Sequence, residues 1–457
     1  MPDFDAIIIG TGQAGQSLAF RLTGAGMKVA VVERHLVGGT CVNTGCTPTK
    51  ALVASAHVAR IARRAAEYGV LIGRDIGIDM RRVKARTDAI VAASRNGRTS
   101  ALENTANITL YRGHARFSSP QAVEIAGERL RAGQIFINVG GRALVPPMPG
   151  INEVPYLTNS SMMDVDFLPH HLIIVGGSYI GLEFGQMYRR FGSEVTIIEM
   201  APRLVRHEDE DVSAAIKDIV EREGVDVRLN AECISLVKRG DEIVAKVDCM
   251  AGAPEVAGSH LLLAVGRRPN TDDLDLDKAG VRCDERGYII VDDQLQTTVP
   301  GIWALGDCNG RGAFTHTAYN DFEIVAANLL DNDPRRVSDR YNLYTDPALG
   351  RVGMTEAQVR KSGKKVPIAK MAKEDVSRAF EKGETQSFIK IWVDAQTKQF
   401  LGASILGVGG DEVVHSILDL KYAKAPYTVV QRAVHIHPTV SELLPTMWAI
   451  SSRSSDG

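Results

Sequence analysis

Short apolar runs alternate with helical patterns along the first half of the chain. The run 6–9 ends at a glycine-rich turn, apolar residues then recur at helical spacing, and a second run, 28–32, ends in Glu33. A buried strand, a helix and another buried strand in this order predict a βαβ unit with a parallel sheet. The same pattern returns with the strands 172–175 and 194–198. The sequence therefore predicts two such units.

The pattern changes after about residue 335. Strands are predicted at 388–393 and 400–406, and a helix is predicted around 413–423. The proline-rich run 146–150 is stiff, as expected of a domain boundary.

Composition narrows the possible partners. At 457 residues and 44% hydrophobic content the chain is long enough for about three domains. A net charge of −2 gives no electrostatic reason to expect nucleic acid or an anionic membrane as a partner. The start MPDFDAIIIG lacks the features of a signal peptide, and no apolar run approaches the roughly 20 residues that span a bilayer. Six cysteines do not make a disulfide framework, so we expect a cytoplasmic protein.

The first glycine turn has the features of a dinucleotide site. Gly10, Gly12 and Gly15 allow a tight turn, close approach of the backbone to a pyrophosphate, and close packing of the next helix. Glu33 lies 18 residues beyond Gly15, where a carboxylate can accept hydrogen bonds from an adenosine ribose.

The second turn repeats these features at Gly176 and Gly181, with Glu199 again 18 residues beyond the last glycine. Two turns predict two dinucleotides. A carboxylate at 199 accepts from a ribose 2′-hydroxyl but repels a 2′-phosphate, so NADH is favoured over NADPH. Two following arginines weaken that preference, Arg203 and Arg206.

Two cysteines follow the first unit. Cys41 and Cys46 are separated by four residues, a spacing that can close a small disulfide ring if Cys46 begins a helix. A helix N-terminus also stabilises a thiolate, so the pair is predicted to be redox-active. Half of a zinc site, or two ordinary buried cysteines, are the alternatives.

Taken whole, the segment 38–50, GGTCVNTGCTPTK, resembles the active-site signature of the pyridine nucleotide-disulfide oxidoreductases, the family of dihydrolipoamide dehydrogenase, glutathione reductase and mercuric reductase. Further segments resemble this family in the same order along the chain. Residues 135–142 and 261–270 resemble its crossings between the flavin and nicotinamide domains, 297–307 its second flavin signature, and 435–442 its acid–base motif.

The resemblance implies an α/β fold with two Rossmann-like domains, for FAD and NAD(P), and a C-terminal α+β dimerisation domain. The FAD-binding domain is expected in two parts, 1–145 with the cysteines and 271–334. The NAD(P)-binding domain is expected at 146–270 and the dimerisation domain at 335–457.

The resemblance also implies roles in catalysis. Cys46 lies nearer the flavin as the charge-transfer thiolate, and Cys41 is the thiol that exchanges with substrate. His437, oriented by Glu442, is the acid–base residue and comes from the other subunit of a homodimer. A solvent-facing metal-binding HxHP and a pair of structural histidines are the alternatives for this motif.

Other residues match the family's cofactor sites. Lys50 and Glu183 match an ion pair beside the reactive flavin nitrogen, and Tyr179 matches a residue that covers the flavin, with an ordinary aromatic at a helix start as its alternative. Asp307 matches the ligand of the ribityl chain rather than a turn aspartate. His316 is a possible flavin ligand or a helix-start histidine.

The expected cofactor residues are, for FAD, Gly10, Gly12, Gly15, Glu33, Gly39, Thr40, Lys50, Gly140, Asp307 and His316, and for NAD, Gly176, Tyr179, Gly181, Glu199 and Gly266. No metal site is expected.

The substrate is predicted from what distinguishes the family's branches. Glu199 disfavours a glutathione reductase, whose branch uses NADPH, and mercuric reductases of the well-known type carry a C-terminal cysteine pair, whereas no cysteine follows Cys308. A dihydrolipoamide dehydrogenase-like enzyme acting on a small or protein-bound disulfide or dithiol is therefore the leading prediction. A metal-ion reductase or another disulfide reductase is the alternative, and a flavoprotein redox sensor with little turnover is the alternative of another class.

Overall fold

The computed structural model describes residues 3–73, 76–248, 254–331, 340–343, 345–364, 366–371 and 376–447, with only the backbone of 233, 248 and 340–343. The chain forms two compact units. The first comprises Met1–Pro147, Tyr156–Leu168 and Leu262–Ser338, and the second Met148–Pro155, Pro169–Leu261 and Asp339–Gly457. The expected domain boundary at 334/335 and the C-terminal residues 448–457 lie outside the described residues.

The first unit is built on one mixed sheet in the order β3-β2-β1-β6-β5-β4, with β16 also paired to β6. Its strands are β1 (Asp3–Ile9), β2 (Val29–Glu33), β3 (Ile108–Arg112), β4 (Ala115–Ser119), β5 (Ala122–Ile125), β6 (Glu128–Ile137) and β16 (Ile302–Ala304). The strands β3, β2, β1, β6 and β16 run parallel, and β5 and β4 are antiparallel additions. The predicted first βαβ unit is therefore present, in a doubly wound arrangement.

Helices cover this sheet. They are α1 (Gln13–Gly24), α2 (Gly39–Asn43), α3 (Cys46–Arg63), α4 (Met80–Asn104) and α7 (Thr315–Ala326), with 3₁₀ turns at Ala65–Tyr68, Ser161–Asp164, Leu276–Ala279 and Gly306–Asn309 and a π turn at Ala327–Asp331. β7 (Gly141–Ala143) and β15 (Arg267–Pro269) form a two-stranded antiparallel ribbon.

The apolar run of β1 is buried on both faces. Ile7 and Ile9 belong to one core cluster, whereas Ala6 and Ile8 belong to another that includes apolar residues of α1 and α7. This alternation is the period of two expected of a strand between two layers.

The second unit contains the second βαβ unit. β8 (His171–Val175), β9 (Glu194–Ile198) and β10 (Asp226–Arg228) run parallel, and β14 (His260–Leu263) pairs with β8, with α5 (Tyr179–Phe191) and α6 (Glu210–Arg222) as the helices. A three-stranded antiparallel sheet consists of β11 (Glu232–Arg239), β12 (Glu242–Asp248) and β13 (Glu255–Gly258).

The C-terminal part of this unit is an antiparallel sheet in the order β17-β18-β21-β20-β19. Its elements are β17 (Arg340–Leu343), β18 (Ala348–Gly353), α8 (Glu356–Lys361), β19 (Ile368–Met371), α9 (Ser377–Glu381), β20 (Phe388–Val393), β21 (Phe400–Gly407), α10 (Gly410–Tyr422), α11 (Thr428–Gln431) and a 3₁₀ turn at Ser441–Thr446. The predicted fold class, with two Rossmann-like units and a C-terminal α+β part, is confirmed.

Buried ion pairs join the two parts of the second unit. The Lys390 ammonium lies 2.9 Å from Asp211 and 2.7 Å from Glu356, and Arg190 lies 2.6 Å from Glu223 and close to Asp346. The Lys390 side chain is only 2% exposed, so removing its partners would leave a buried charge uncompensated.

Candidate active site

The first glycine turn is packed so tightly that its glycines cannot be replaced without movement. Gly10 has φ +104°, and a Cβ built there would lie 2.2 Å from the Asn138 carbonyl oxygen. A Cβ on Gly15 would lie 2.3 Å from the Gly10 carbonyl oxygen, because α1 packs directly against the end of β1. The N-terminus of α1 follows at once, and the amides at a helix N-terminus suit a phosphate group.

Glu33 closes this turn from the end of β2. One carboxylate oxygen accepts hydrogen bonds from the Thr11 amide at 3.1 Å and from the Thr11 hydroxyl, and the other accepts from the His35 amide at 2.9 Å. Thr11 in turn accepts from the Gly38 amide at 3.1 Å. The carboxylate is therefore fixed, and it keeps lone pairs for a ribose hydroxyl.

Glu199 occupies the same place in the second unit. It accepts from the Gly177 amide at 2.6 Å and from the Ala201 amide at 2.8 Å. A Cβ on Gly181 would lie 2.0 Å from the Gly176 carbonyl oxygen, as in the first turn. The following Arg203 donates to the Arg206 carbonyl.

Asn138 ties the first turn to the second predicted flavin segment. Its Oδ1 accepts from the Gly15 amide at 2.9 Å, and its Nδ2 donates to the Leu305 carbonyl at 2.9 Å. Asp321 of α7 accepts from the Gly306 amide at 2.8 Å and from Asn309 at 2.9 Å. Burial raises the pKa of Asp321 to about 6. These two side chains hold the turn that carries Asp307.

Asp307 lines a cavity of about 210 Å³ in the first unit. The Arg267 guanidinium lies 3.4 Å from its carboxylate. Burial raises the pKa of Asp307, and Arg267 opposes that rise. Gly141, Tyr288 and Arg311 also line the cavity.

This donor set fits FAD. The Glu33 carboxylate can accept hydrogen bonds from an adenosine ribose, the start of α1 and the arginines that line the cavity suit a diphosphate, and the Asp307 carboxylate can accept from the hydroxyls of a ribityl chain. Gly140, between β6 and β7, has φ +65°. Gly266, before β15, has φ +129°.

The two cysteines lie side by side and are not joined by a disulfide in the structure. Cys41 lies in α2 with Gly39 and Thr40, and Cys46 is the first residue of α3, whose second turn carries Lys50. The two sulfurs are hydrogen-bonded to each other.

This arrangement gives the two thiols different pKa values, with that of Cys46 the lower. The hydrogen bond from Cys41 is the main cause that lowers the pKa of Cys46 to about 6, with further contributions from Thr315, from the charge of Lys50 and from its own backbone amide, while burial opposes them. The same hydrogen bond, with burial, raises the pKa of Cys41 far above its usual range. The reduced pair therefore carries its negative charge on Cys46.

Thr315 was not predicted as a site residue. It is the first residue of α7, and its hydroxyl lies 3.1 Å from the Cys46 sulfur. His316, the next residue, stacks on Phe314 with a centroid distance of 5.5 Å. The contact between residues 269 positions apart has no local signal in the sequence.

His437 and Glu442 lie together in the second unit. The His437 Nδ1 is 2.9 Å from the Glu442 carboxylate, and the imidazole is 78% exposed. Because a carboxylate only accepts, Nδ1 carries the proton and Nε2 is left to exchange protons. His435 instead contacts the Ser441 carbonyl through its Nδ1 at 2.6 Å.

The structure brings together Cys41 with Cys46, His437 with Glu442, and each ribose-site acid with its glycine turn. Tyr179 and Glu183 lie in the first two turns of α5. They belong to the second unit with His437, whereas the cysteines and Lys50 belong to the first. Within the described residues, no group of three or more His, Cys, Asp or Glu is arranged to hold a metal ion, and no helix is long and apolar enough to cross a membrane.

Comparison with known families identifies both parts of the chain. Residues 4–321 match the family described as pyridine nucleotide-disulphide oxidoreductase, and residues 341–448 match its dimerisation domain.

Several known proteins are similar over nearly their whole length. The chain is 35% identical to the probable pyridine nucleotide-disulfide oxidoreductase RclA of Escherichia coli K12, over 98% of this chain and 100% of the relative. It is 33% identical to a dihydrolipoyl dehydrogenase of Thermus scotoductus, over 97% and 96%. It is 32% identical to a mercuric reductase of Streptomyces lividans, over 96% and 94%.

Solved structures agree with these similarities. The HOCl-induced flavoprotein disulfide reductase RclA from Escherichia coli superposes with a TM-score of 0.88 at 34% identity, covering 98% of this chain and 99% of that one. Its Cu(II) complex superposes with a TM-score of 0.89, covering 98% and 100%.

Proposed function

The chain belongs to the pyridine nucleotide-disulphide oxidoreductase family, and from that premise we propose that it transfers electrons between NADH and a small or protein-bound dithiol or disulfide of the dihydrolipoamide class. Members of the family are FAD-dependent flavoproteins that use NAD(P)H, so the enzyme class and the cofactors follow from membership. The observation that carries the proposal is the hydrogen-bonded pair of thiols formed by Cys41 in α2 and Cys46 at the start of α3.

FAD, when bound, supplies two-electron transfer between the nicotinamide and the cysteines. The cysteines exchange those electrons with the substrate. For reduction of a disulfide, Cys41 loses its proton to a base and attacks one sulfur, which forms a mixed disulfide and releases the first thiolate. The Cys46 thiolate then attacks Cys41, which forms the Cys41–Cys46 disulfide and releases the second thiolate. Oxidation of a dithiol is the reverse of these steps.

His437 is the proposed base and acid of this exchange. Glu442 holds Nδ1, so Nε2 takes the Cys41 proton and returns it to a leaving thiolate. The dimerisation domain at 341–448 supports a homodimer, in which we assign His437 to the site of the other subunit.

The remaining predicted residues have supporting roles in this proposal. Lys50 lies one turn after Cys46, and its charge favours the thiolate there. Glu183 and Tyr179 are assigned to the flavin face that receives the nicotinamide. Glu199, fixed by two amides, favours NADH over NADPH. A reducing cytoplasm is the compartment that suits such a pair.

The test is NADH oxidation by purified flavin-loaded protein with lipoamide, repeated with NADPH. We expect rapid turnover with NADH, lost in both Cys41→Ser and His437→Ala. Cys283→Ser is the matched control, because Cys283 is an exposed free cysteine outside the pair. Turnover that survives Cys41→Ser would refute the proposed route.

A metal ion is the second candidate acceptor, because a similar protein was solved as a Cu(II) complex and another is a mercuric reductase. Replacing lipoamide by Cu(II) in the same assay separates the two. NADH oxidation that depends on Cu(II) and on Cys41, with no turnover of lipoamide, would favour the metal ion.

A further inference from the structure

Thr315 contacts the reduced cysteine pair from a distant part of the chain. Its hydroxyl lies 3.1 Å from the Cys46 sulfur and is also hydrogen-bonded to Cys41. Cys46 begins α3 and Thr315 begins α7, so two helix N-termini meet at this sulfur. Their amides favour negative charge there, but they do not by themselves decide which sulfur holds it.

The direction of the hydrogen bonds follows from the donors available. Cys41 and Thr315 each have one proton to donate, whereas a thiolate has none. With the charge on Cys46, both donate to it, and Cys46 accepts two hydrogen bonds. With the charge on Cys41, Cys46 would donate to Cys41, and the Thr315 hydroxyl would meet Cys46 only as a thiol, which is a weak acceptor. The observed short contact of Thr315 with Cys46 matches the first arrangement.

We propose that Thr315 is a positioning residue that fixes the negative charge of the reduced pair on Cys46. The inference rests on the proposed function, because it concerns the same pair of thiols. If the charge stays on Cys46, Cys41 remains protonated until a base removes its proton. Cys41, the thiol that meets the substrate, therefore becomes nucleophilic only when the acid–base group is in place.

The start of α7 is held independently of this contact. The Thr317 hydroxyl accepts from the Phe314 amide at 3.1 Å and donates to the Phe314 carbonyl at 2.7 Å. Thr315→Val therefore removes the donor and keeps the side-chain shape, while Thr317→Val disturbs the helix start and keeps the donor. Thr315→Ser restores the hydroxyl.

The experiment measures the acidity of each thiol in the flavin-loaded protein, reduced chemically and then freed of reductant under anaerobic conditions. Iodoacetamide is added at a series of pH values, and fragment mass spectrometry reports the rate at Cys41 and at Cys46 separately. Because Thr315→Val removes a hydrogen bond to a charged group, we expect the pKa of Cys46 to rise by about one to two units. At a pH below that pKa, the fraction of Cys46 present as thiolate then falls about tenfold to hundredfold. Thr315→Ser and Thr317→Val should remain within about half a unit of the unmodified protein.

The inference is overturned if the pKa of Cys46 is unchanged in Thr315→Val. It is also overturned if Thr315→Ser or Thr317→Val shifts this pKa as much as Thr315→Val does, or if the pKa of Cys41 is lower than that of Cys46 in the unmodified protein. Reduction of the pair by NADH is followed on separate samples. Its failure would refute the proposed function and leave the comparison of thiol acidities intact, since that comparison uses a chemical reductant.

Discussion

The two dinucleotide units use one backbone arrangement and surround it differently. In each, the acid at the end of the second strand accepts from an amide of the glycine turn and from the amide two residues after itself, at Glu33 and at Glu199. In the first unit Thr11 adds a hydroxyl to this acid and links it to the Gly38 amide. In the second unit the corresponding residue is Gly177, which has no side chain, and Glu199 is more exposed than Glu33.

The segments that follow the two acids also differ. After Glu33 the chain forms the short helix α2 and the longer helix α3, which carry the cysteines, and after Glu199 it carries Arg203 and Arg206. A closed site with redox groups beside it suits a cofactor that stays bound, and an open one suits a cofactor that exchanges at every turnover. The comparison teaches that the two units share the turn and differ in the residues around it, and we expect those residues to set how long each ligand stays bound.

The largest expected effect comes from the last glycine of each turn. Gly15→Val should abolish flavin retention, because its side chain meets the Gly10 carbonyl, whereas Gly181→Val should keep the flavin and abolish its reduction by NADH. Flavin absorbance after gel filtration and anaerobic titration with NADH measure the two outcomes. Flavin loss in both variants would mean that the units do not bind separate ligands.

A smaller effect, on the use of the two nicotinamide nucleotides, is expected at Glu199, the more exposed of the two acids. Glu199→Ala removes an acceptor from two amides and from the ribose, so kcat/KM for NADH should fall about tenfold or more, while the value for NADPH falls less. The ratio of the two kcat/KM values measures the change. Flavin content is the internal control, since Glu33 is untouched, and an unchanged ratio would remove Glu199 from nucleotide selection.

The Thr11 hydroxyl, which has no counterpart at Gly177, should contribute to the stability of the folded protein. Thr11→Val leaves the Gly38 amide and one Glu33 oxygen without that partner, at a cost of about 1–3 kcal/mol in the free energy of unfolding. Urea denaturation measures it. Thr23→Val, at a threonine whose hydroxyl donates only to carbonyls of its own helix, is the control and should change the free energy by less than about 0.5 kcal/mol.

The smallest effect concerns the charge beside the cysteines. Cys46 is a thiolate above its pKa of about 6 and is protonated below it, so the long-wavelength thiolate–flavin absorbance should be constant at neutral pH and halved at about pH 6. Lys50→Met removes a nearby positive charge and should move this midpoint upward by less than about one unit. A downward shift would contradict the assigned role of Lys50.

The sequence predicted the parts of this molecule whose signals are local. The glycine turns, the spacing to Glu33 and Glu199, and the cysteine segment are short patterns set by backbone geometry. The contacts of Thr315, Asn138 and Asp321 were missed, because each links residues that only the tertiary fold brings together. The polar helix α4 was also missed, since few of its residues are buried and its apolar pattern is weak.

The first unit is discontinuous, and this has a consequence for biosynthesis. β16 pairs with β6, and Leu305 receives the hydrogen bond of Asn138, yet the whole segment 169–261 is translated between them. The ribosome therefore completes the second βαβ unit before it completes the first compact unit. Ribosome-bound chains that stop before residue 302 lack β16 and Asp307, so we expect flavin to be captured late in the synthesis of this protein.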